Sequence, residues 1–476
     1  MSRMYFILFS VLIVSSIGAV TIDENLNEIY LEKDSLLHDN LVCEEKINEL
    51  RSIDPNFLPQ DMFESDKDYL KRICISAPKI IAIREKYIKP HIERLDSLRQ
   101  FIFIDENIEV KLLDYNANQQ EFNLFIERLG YPPVYYHATL SIASDDARFL
   151  YNNWDKVKYY GRGYISYDDN IEYFEVDLYS EEIEIYYEID TLIPFSFAPK
   201  FENSSFNYDG TIFAGSYGKR VFVQKDMRDS LSFIYQKVFP ENIKCLDLSP
   251  DGKYLAVGVH ATPAGKIDFW LINIQTDRIL FTVSVAGGIF SVNISPDGRL
   301  VAIGGGFTFT DSVAEIYEVE TGKKLFDFSS YESINTVCFS PDQKYIVSLG
   351  SHLIIWNLIT MKKELNESTP SHFIALDFHP NSQLLVVGGK YQGFKFYNMD
   401  SKCLMNSYER DKHVYSLSFN YNGNLLAIGF EDTKILNMNE WRYVNHIETT
   451  GGIYRPGTDF IVANGLAYKT TRKEDF

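Results

Sequence analysis

Few residues in this chain are spaced for catalysis. Ala214-Gly215-Ser216-Tyr217-Gly218 departs from the nucleophile elbow in its first glycine. That elbow needs a strand feeding a helix, and here the patterns run from strand to strand, so Ser216 is not read as a nucleophile. Gly304-Gly305-Gly306 also follows a strand pattern with no helix behind it and makes no phosphate loop. The nine histidines are scattered. Neither His-Glu-x-x-His nor Cys-x-x-Cys occurs, which argues against a dedicated zinc site. No calcium loop of the EF-hand type is present. The sequence therefore implies no cofactor, no metal and no enzyme.

Other residues suit recognition. His260-Ala261-Thr262-Pro263-Ala264-Gly265 and Gly306-Phe307-Thr308-Phe309-Thr310-Asp311-Ser312 are extended loops at equivalent places. Phe307 and Phe309 would expose apolar area at a cost unless a partner or local packing covers them. Tyr217, Tyr391 and Glu431 fall at the matching place elsewhere. With His260 and Asp311 in the extended loops, and Arg410 and His413 in a different connection, these nine residues form a candidate protein-binding surface; freely varying loops are the competing account. Asn203-Ser204-Ser205 and Asn366-Glu367-Ser368 are N-glycosylation sequons in predicted loops.

The elements that must position these residues come from a repeat. Seven copies of a tight-turn phrase read Asn207-Tyr208-Asp209-Gly210, Ser249-Pro250-Asp251-Gly252, Ser295-Pro296-Asp297-Gly298, Ser340-Pro341-Asp342-Gln343, His379-Pro380-Asn381-Ser382, Asn420-Tyr421-Asn422-Gly423 and Arg455-Pro456-Gly457-Thr458. Their starts lie 42, 46, 45, 39, 41 and 35 residues apart. A period near this length with several strands per repeat marks a β-propeller. An alternating segment precedes each turn, as in Ile243–Leu248, and a continuously apolar one follows, as in Tyr254-Leu255-Ala256-Val257-Gly258. These fit two inner strands of a blade, the second buried on both faces. The positions assigned to the channel read Leu, Val, Ile and Ala, which disfavours catalysis there.

A third strand ends at Ile272-Asn273, Tyr317-Glu318, Trp356-Asn357, Tyr397-Asn398 and Leu436-Asn437, and Glu320-Thr321-Gly322-Lys323-Lys324-Leu325 forms the next turn. Over roughly residues 190–476 this resembles WD40 repeats. No copy keeps Trp-Asp itself, and Lys412-His413 is the nearest approach to the family's Gly-His pair. The resemblance implies an all-β propeller of seven blades, or six if Arg455 starts no true repeat, serving as a protein-interaction scaffold. It also implies closure of the last blade by a strand from before the first, for which Ile183–Ile189 is the candidate.

Before the propeller, the apolar faces of residues 20–130 predict a mainly helical N-terminal domain, making the whole chain α+β. Pro90 should kink or split its second helix, and Gln119–Leu129 reads as a short third. An acidic, aromatic, β-rich segment at 131–182 connects to the propeller at 183–476. Asp168 to Asp190 contains ten acids and no Lys or Arg, and the chain carries a formal charge of -20. That balance argues against nucleic acid and anionic membrane surfaces.

Arg3, the apolar run Met4–Val14 and Ser15-Ser16-Ile17-Gly18-Ala19 compose a signal peptide over residues 1–19. No later stretch reaches transmembrane length. The five cysteines are too few for a disulfide scaffold. Cys43 and Cys74 are either bridged or free. The expectation is a secreted, non-catalytic scaffold for protein partners. The alternatives are an exported propeller hydrolase or lyase, and an intracellular WD40 scaffold with a signal-like start.

Overall fold

The computed structural model describes residues 22–99, 102–105, 108–116, 120–128, 135–165, 171–180, 182, 185–190, 195–196, 202–225, 233–259, 268–285, 287–306, 312–329, 334–369, 373–391, 393–409, 412–447, 453–454, 460–463 and 466–469. The signal-peptide segment lies outside them, as do His260, Phe307, Phe309, Asp311 and Arg410. The chain divides into two compact units. One comprises Met1–Leu36, Arg94–Ile193 and Phe476; the other comprises Leu37–Glu93 and Pro194–Asp475.

The first unit begins with helix α1 (Ile22–Ile53), whose second half belongs to the other unit. Asn25 Nδ2 donates to the Leu98 carbonyl at 3.1 Å, and Arg94 pairs with Glu28 at 2.6 Å. Ile108–Asn116, Glu121–Arg128 and Tyr135–Ser141 form a three-stranded meander. The predicted third helix is therefore a strand. Phe122, Leu124 and Ile126 are buried and alternate with more accessible neighbours, which is the period of a strand. Ile102–Asp105, Lys158–Ile165, Ile171–Ser180 and Ile185–Asp190 make a four-stranded antiparallel sheet. The last of these is the segment expected to close the propeller. It pairs instead with Ile171–Ser180, from Glu175↔Asp190 to Ser180↔Ile185, so the boundary at 183 moves to the end of this unit.

The second unit is a seven-bladed propeller with a helical bracket. The seven blades are four-stranded antiparallel sheets. Their innermost strands are Asn203–Phe206, Ile243–Leu248, Ile289–Ile294, Ile334–Phe339, Phe373–Phe378, Ser416–Phe419 and Ile453–Tyr454. Second strands such as Leu300–Gly305 and Tyr345–Gly350 are buried along their whole length, and outer ones such as Lys362–Ser368 are largely exposed. Phe195–Ser196 closes the seventh blade, through Leu466↔Ser196 and Ala467↔Phe195. A strand from before the first repeat does close the ring, but it lies later in the chain and is shorter than expected.

The repeated phrase folds as one device. In Ser249-Pro250-Asp251-Gly252 the Ser249 hydroxyl donates to Asp251 at 2.5 Å and accepts the Tyr254 N–H at 2.9 Å. Gly252 takes φ 68°, which glycine adopts without a Cβ penalty. Gln343 and Ser382 hold the same left-handed backbone at 57° and 62°. At the other repeated turn the Asp of Trp-Asp is replaced by Asn in four blades and by Glu318 in blade 3. Asn357 Oδ1 accepts from the N–H groups of Ile359 and Thr360, both at 2.9 Å. Asn273, Asn398 and Asn437 do the same for their own turns. The local cap thus survives the loss of the pair.

The bracket consists of the end of α1, a 3-10 turn at Pro55–Phe57, helix α2 (Asp66–Tyr87) and the start of helix α3 (Lys89–Arg99). Ser65 caps α2 by accepting the Asp68 N–H at 3.2 Å. Pro90 sits in the first turn of α3, where its missing N–H leaves no helical bond unmade, and the two helices are separate as expected.

Candidate functional site

The turns carrying the repeated phrase lie at one face of the ring, and the bracket covers that face. Tyr69, Leu70, Ile73 and Cys74 of α2 join the core of blades 3 and 4 with Leu300, Ile316, Phe326 and Phe339. Fully burying residues such as Leu70 and Ile73 stabilises by about 1.5–3 kcal/mol each. Arg299 anchors the helix. Its Nη2 donates to the Ile73 carbonyl at 2.6 Å and to Ser76 Oγ at 2.8 Å. Its Nε meets the buried Asp297 at 2.6 Å, and its guanidinium lies 4.5 Å from the Phe57 ring centroid. Asp297 is held below the usual carboxylate range. Burial opposes that shift, but the Arg299 charge and hydrogen bonds outweigh it. Arg84 reaches the Pro296 carbonyl at 2.9 Å, and Tyr69 donates to Glu318. Asn40 donates to Asp209 at 2.8 Å.

Beneath α2 a cavity of about 720 Å³ opens into the channel mouth. Pro78, Ile81, Arg84 and Lys89 roof it, and its wall includes Asp247, Asn293, Cys338 and Asp377. These positions correct the expectation of an apolar channel lining. They are the penultimate residues of successive innermost strands, and several fasten one blade to the next. Ser205 Oγ accepts the Leu248 N–H at 3.1 Å, and Asp247 accepts the Ile294 N–H at 2.7 Å. Asn293 accepts the Phe339 N–H at 2.8 Å, and Asp377 accepts the Phe419 N–H at 2.7 Å. Burial raises Asp247 to about 6 and Asp377 to about 7, although these donors favour the charged form. Their common offset before each turn was the signal that sequence reasoning passed over.

The opposite face carries the other two connections of each blade. Tyr217 ends a strand there and is 57% exposed. Tyr391 is 66% exposed and holds φ 56°, an unusual backbone for a bulky residue. The turn bearing it is tied to the neighbouring connection by Gly393 N–H to the Lys412 carbonyl and Val414 N–H to the Gly389 carbonyl, both 3.1 Å. That tie brings Tyr391 edge-on to His413, with centroids 3.9 Å apart. His413 in turn stacks on Tyr415 at 6.0 Å. Tyr415, 48% exposed, was not singled out from sequence because it opens an alternating strand pattern. Glu431 is exposed in the corresponding turn of blade 6. Lys412 and Lys434 lie 5.2 and 5.5 Å from the Phe430 ring, and both approach Glu409. Tyr217 belongs to blade 1 and takes no part in this cluster.

Ser216 is fully buried and accepts the Asn203 amide at 3.0 Å, as a structural hydroxyl does. Asn203 therefore sits on an innermost strand and not in the predicted loop, whereas Asn366 is exposed on an outermost strand. Cys43 and Cys74 are unbridged and buried. Among the described residues, no group of three or more His, Cys, Asp or Glu is placed to hold a metal, and no helix is long and apolar enough to cross a membrane.

A family model for the WD domain, G-beta repeat, matches residues 322–357. The chain is 27% identical over 186 residues to telomerase protein component 1 of Mus musculus, a stretch covering 38% of this chain and 7% of that protein. It is 27% identical over 162 residues to periodic tryptophan protein 2 homolog of Mus musculus, covering 32% and 16%. Small ribosomal subunit protein RACK1 of Drosophila melanogaster is 35% identical over 85 residues, covering 18% and 25%. The chain thus spans a quarter or less of the length of these relatives.

Proposed function

Because this chain belongs to the WD40-like repeat family, we propose that it is a non-catalytic scaffold whose propeller face opposite the bracket holds protein partners. One observation carries this reading. The bracket occupies the turn-bearing face, and the exposed Tyr391–His413–Tyr415 cluster stands on the opposite face of the ring. Rigid, half-exposed aromatic residues are the side chains that most often anchor protein interfaces. The tie between the two connections of blade 5 fixes them before any partner arrives, which reduces the ordering cost of binding. We further propose that the protein is exported, on the strength of the basic, apolar and small-residue order of its first 19 residues.

Affinity capture with wild type and a Tyr391→Ala, Tyr415→Ala double variant tests the surface. Partners held by this face are lost from the variant while its thermal unfolding stays unchanged. An identical set of partners would sink the reading. N-terminal sequencing of the mature protein tests export: a new terminus near Ala19 is expected, and a retained Met1 would contradict it.

A further inference from the structure

Three Asn-x-Ser sequons occur in the chain, and the fold treats them differently. Asn203-Ser204-Ser205 lies in the innermost strand of blade 1. There Asn203 Nδ2 donates to Ser216 Oγ at 3.0 Å and to the Ile243 carbonyl at 3.4 Å. The third residue, Ser205, donates to Asp247 at 2.8 Å and accepts the Leu248 N–H. Asn293-Ile294-Ser295 ends the innermost strand of blade 3 and runs into Pro296. Asn293 Nδ2 donates to Asp247 at 3.1 Å. Ser295 is fully buried, donating to Asp297 and accepting the Leu300 N–H. An attached sugar takes one of the two hydrogens on Nδ2 and needs room for a bulky polar chain. Neither inner site offers that.

Asn366-Glu367-Ser368 is different. It lies in Lys362–Ser368, the outermost strand of blade 4, whose far edge pairs with no other strand among the described residues. Leu365 packs against the core between blades 4 and 5, and Glu367 accepts the Tyr397 hydroxyl at 3.1 Å. Strand alternation turns Asn366 and Ser368 away from those two residues, and both are exposed. We propose that Asn366 carries an N-linked oligosaccharide once the chain enters the secretory pathway, and that Asn203 and Asn293 do not. The proposal rests on the proposed export of the chain. In the transfer, Nδ2 of Asn366 bonds to the anomeric carbon of an oligosaccharide held on a lipid diphosphate. The bond from that carbon to the diphosphate breaks, the diphosphate leaves with the electron pair, and the amide gives up one proton. The sugar then stands on the outer wall of the ring and shields the open edge of blade 4 from pairing with another strand.

The test expresses the full chain in a eukaryotic secretory host, once with its own residues 1–19 and once with a heterologous signal peptide in their place. Peptide-N-glycosidase in heavy-oxygen water converts each glycosylated Asn to labelled Asp, and mass spectrometry of the folded protein locates the label. Label is expected at position 366 and at neither 203 nor 293. Asn366→Gln should abolish the glycosidase-sensitive mobility shift and leave thermal unfolding of the deglycosylated protein unchanged. Asn203→Gln should keep the shift and lower the melting temperature, because it disturbs the bonds to Ser216 and Ile243. Label at 203 or 293 in folded protein, or a bare 366 in exported protein, would overturn the proposal. A bare chain that retains Met1 would instead end the export reading, and the version with the heterologous signal then decides the site by the same outcomes.

Discussion

Replacing Arg299 by Ala leaves Asp297 buried without its cation and takes two hydrogen bonds from α2. Breaking one partner of such a buried pair costs about 3–5 kcal/mol. Denaturant unfolding of Arg299→Ala should show a loss of that order, and an Asp297→Asn, Arg299→Ala double variant should recover part of it. A second outcome concerns thiols. Burial raises Cys43 to about 11 and pushes Cys74, Cys245 and Cys338 up as well, so these thiols remain protonated at neutral pH; Cys43 and Cys74 are buried, and Cys245 and Cys338 are part-buried. Cys403 is exposed. Ellman's reagent should therefore react with Cys403 first in the native protein and titrate all five thiols after denaturation. Early native labelling of Cys43 or Cys74, located by peptide mapping, would mean that the bracket lifts from the ring. Single residues were the least legible feature of the sequence. Asp247 and Asp377 resemble ordinary polar residues of a half-solvated strand until the ring places each against its neighbour's backbone.

The strands of the propeller could be found before the structure because each stands beside a turn whose chemistry is local. Pro, Asx and Gly act within four residues, and the third strands end at the Asn and Glu that sequence alignment indicated. Elements whose pairing is distant were misplaced. Ile185–Asp190 has the alternation required of a closing strand, but alternation does not name a partner. The bracket was invisible for the same reason, since Ser76 and Arg299 are 223 residues apart. Its apolar stripe was legible, its target was not. One clue lay within the phrase itself. Tyr replaces Pro only at Tyr208 and Tyr421, and those two hydroxyls meet across the channel mouth, with Lys89 lying 5.9 Å from the Tyr421 ring. The closing element is slight by comparison, with two paired residues on its side of the sheet. Hydrogen exchange should find the amides of Leu466–Lys469 opening before those of blades 3 and 4. Equal protection across all blades would contradict the weak seam.

Across the whole ring, stability should fall as pH rises from mildly acidic to alkaline. A carboxyl raised from about 3.9 in the unfolded chain binds its proton more tightly when native. Its contribution is full below about pH 4 and is lost as pH rises through 6 and 7, the values for Asp247 and Asp377. Asp297, Glu64 and Asp66 are shifted down and act in the opposite sense, losing their contribution as the solution becomes acidic. Together they place the optimum in mildly acidic solution. The melting temperature should be higher at pH 5.5 than at pH 8, and an Asp247→Asn, Asp377→Asn variant should flatten that difference. Blade 3 already carries Asn293 in the same register and keeps its bond to Phe339, so the amide is compatible with the ring. A variant with an undiminished slope would place the titration elsewhere.

The bracket imposes an order on synthesis. Helix α2 leaves the ribosome well before the blades that bury it, for Arg299 follows Ser76 by 223 residues. At about 5–20 residues per second that interval lasts roughly 10–45 s. Throughout it Leu70, Ile73, Ala77 and Ile80, all fully or almost fully buried in the finished protein, have no propeller to cover them. The nascent chain must carry a sticky helix past an entire intervening unit, and its yield in any host will depend on what shields that helix during the wait.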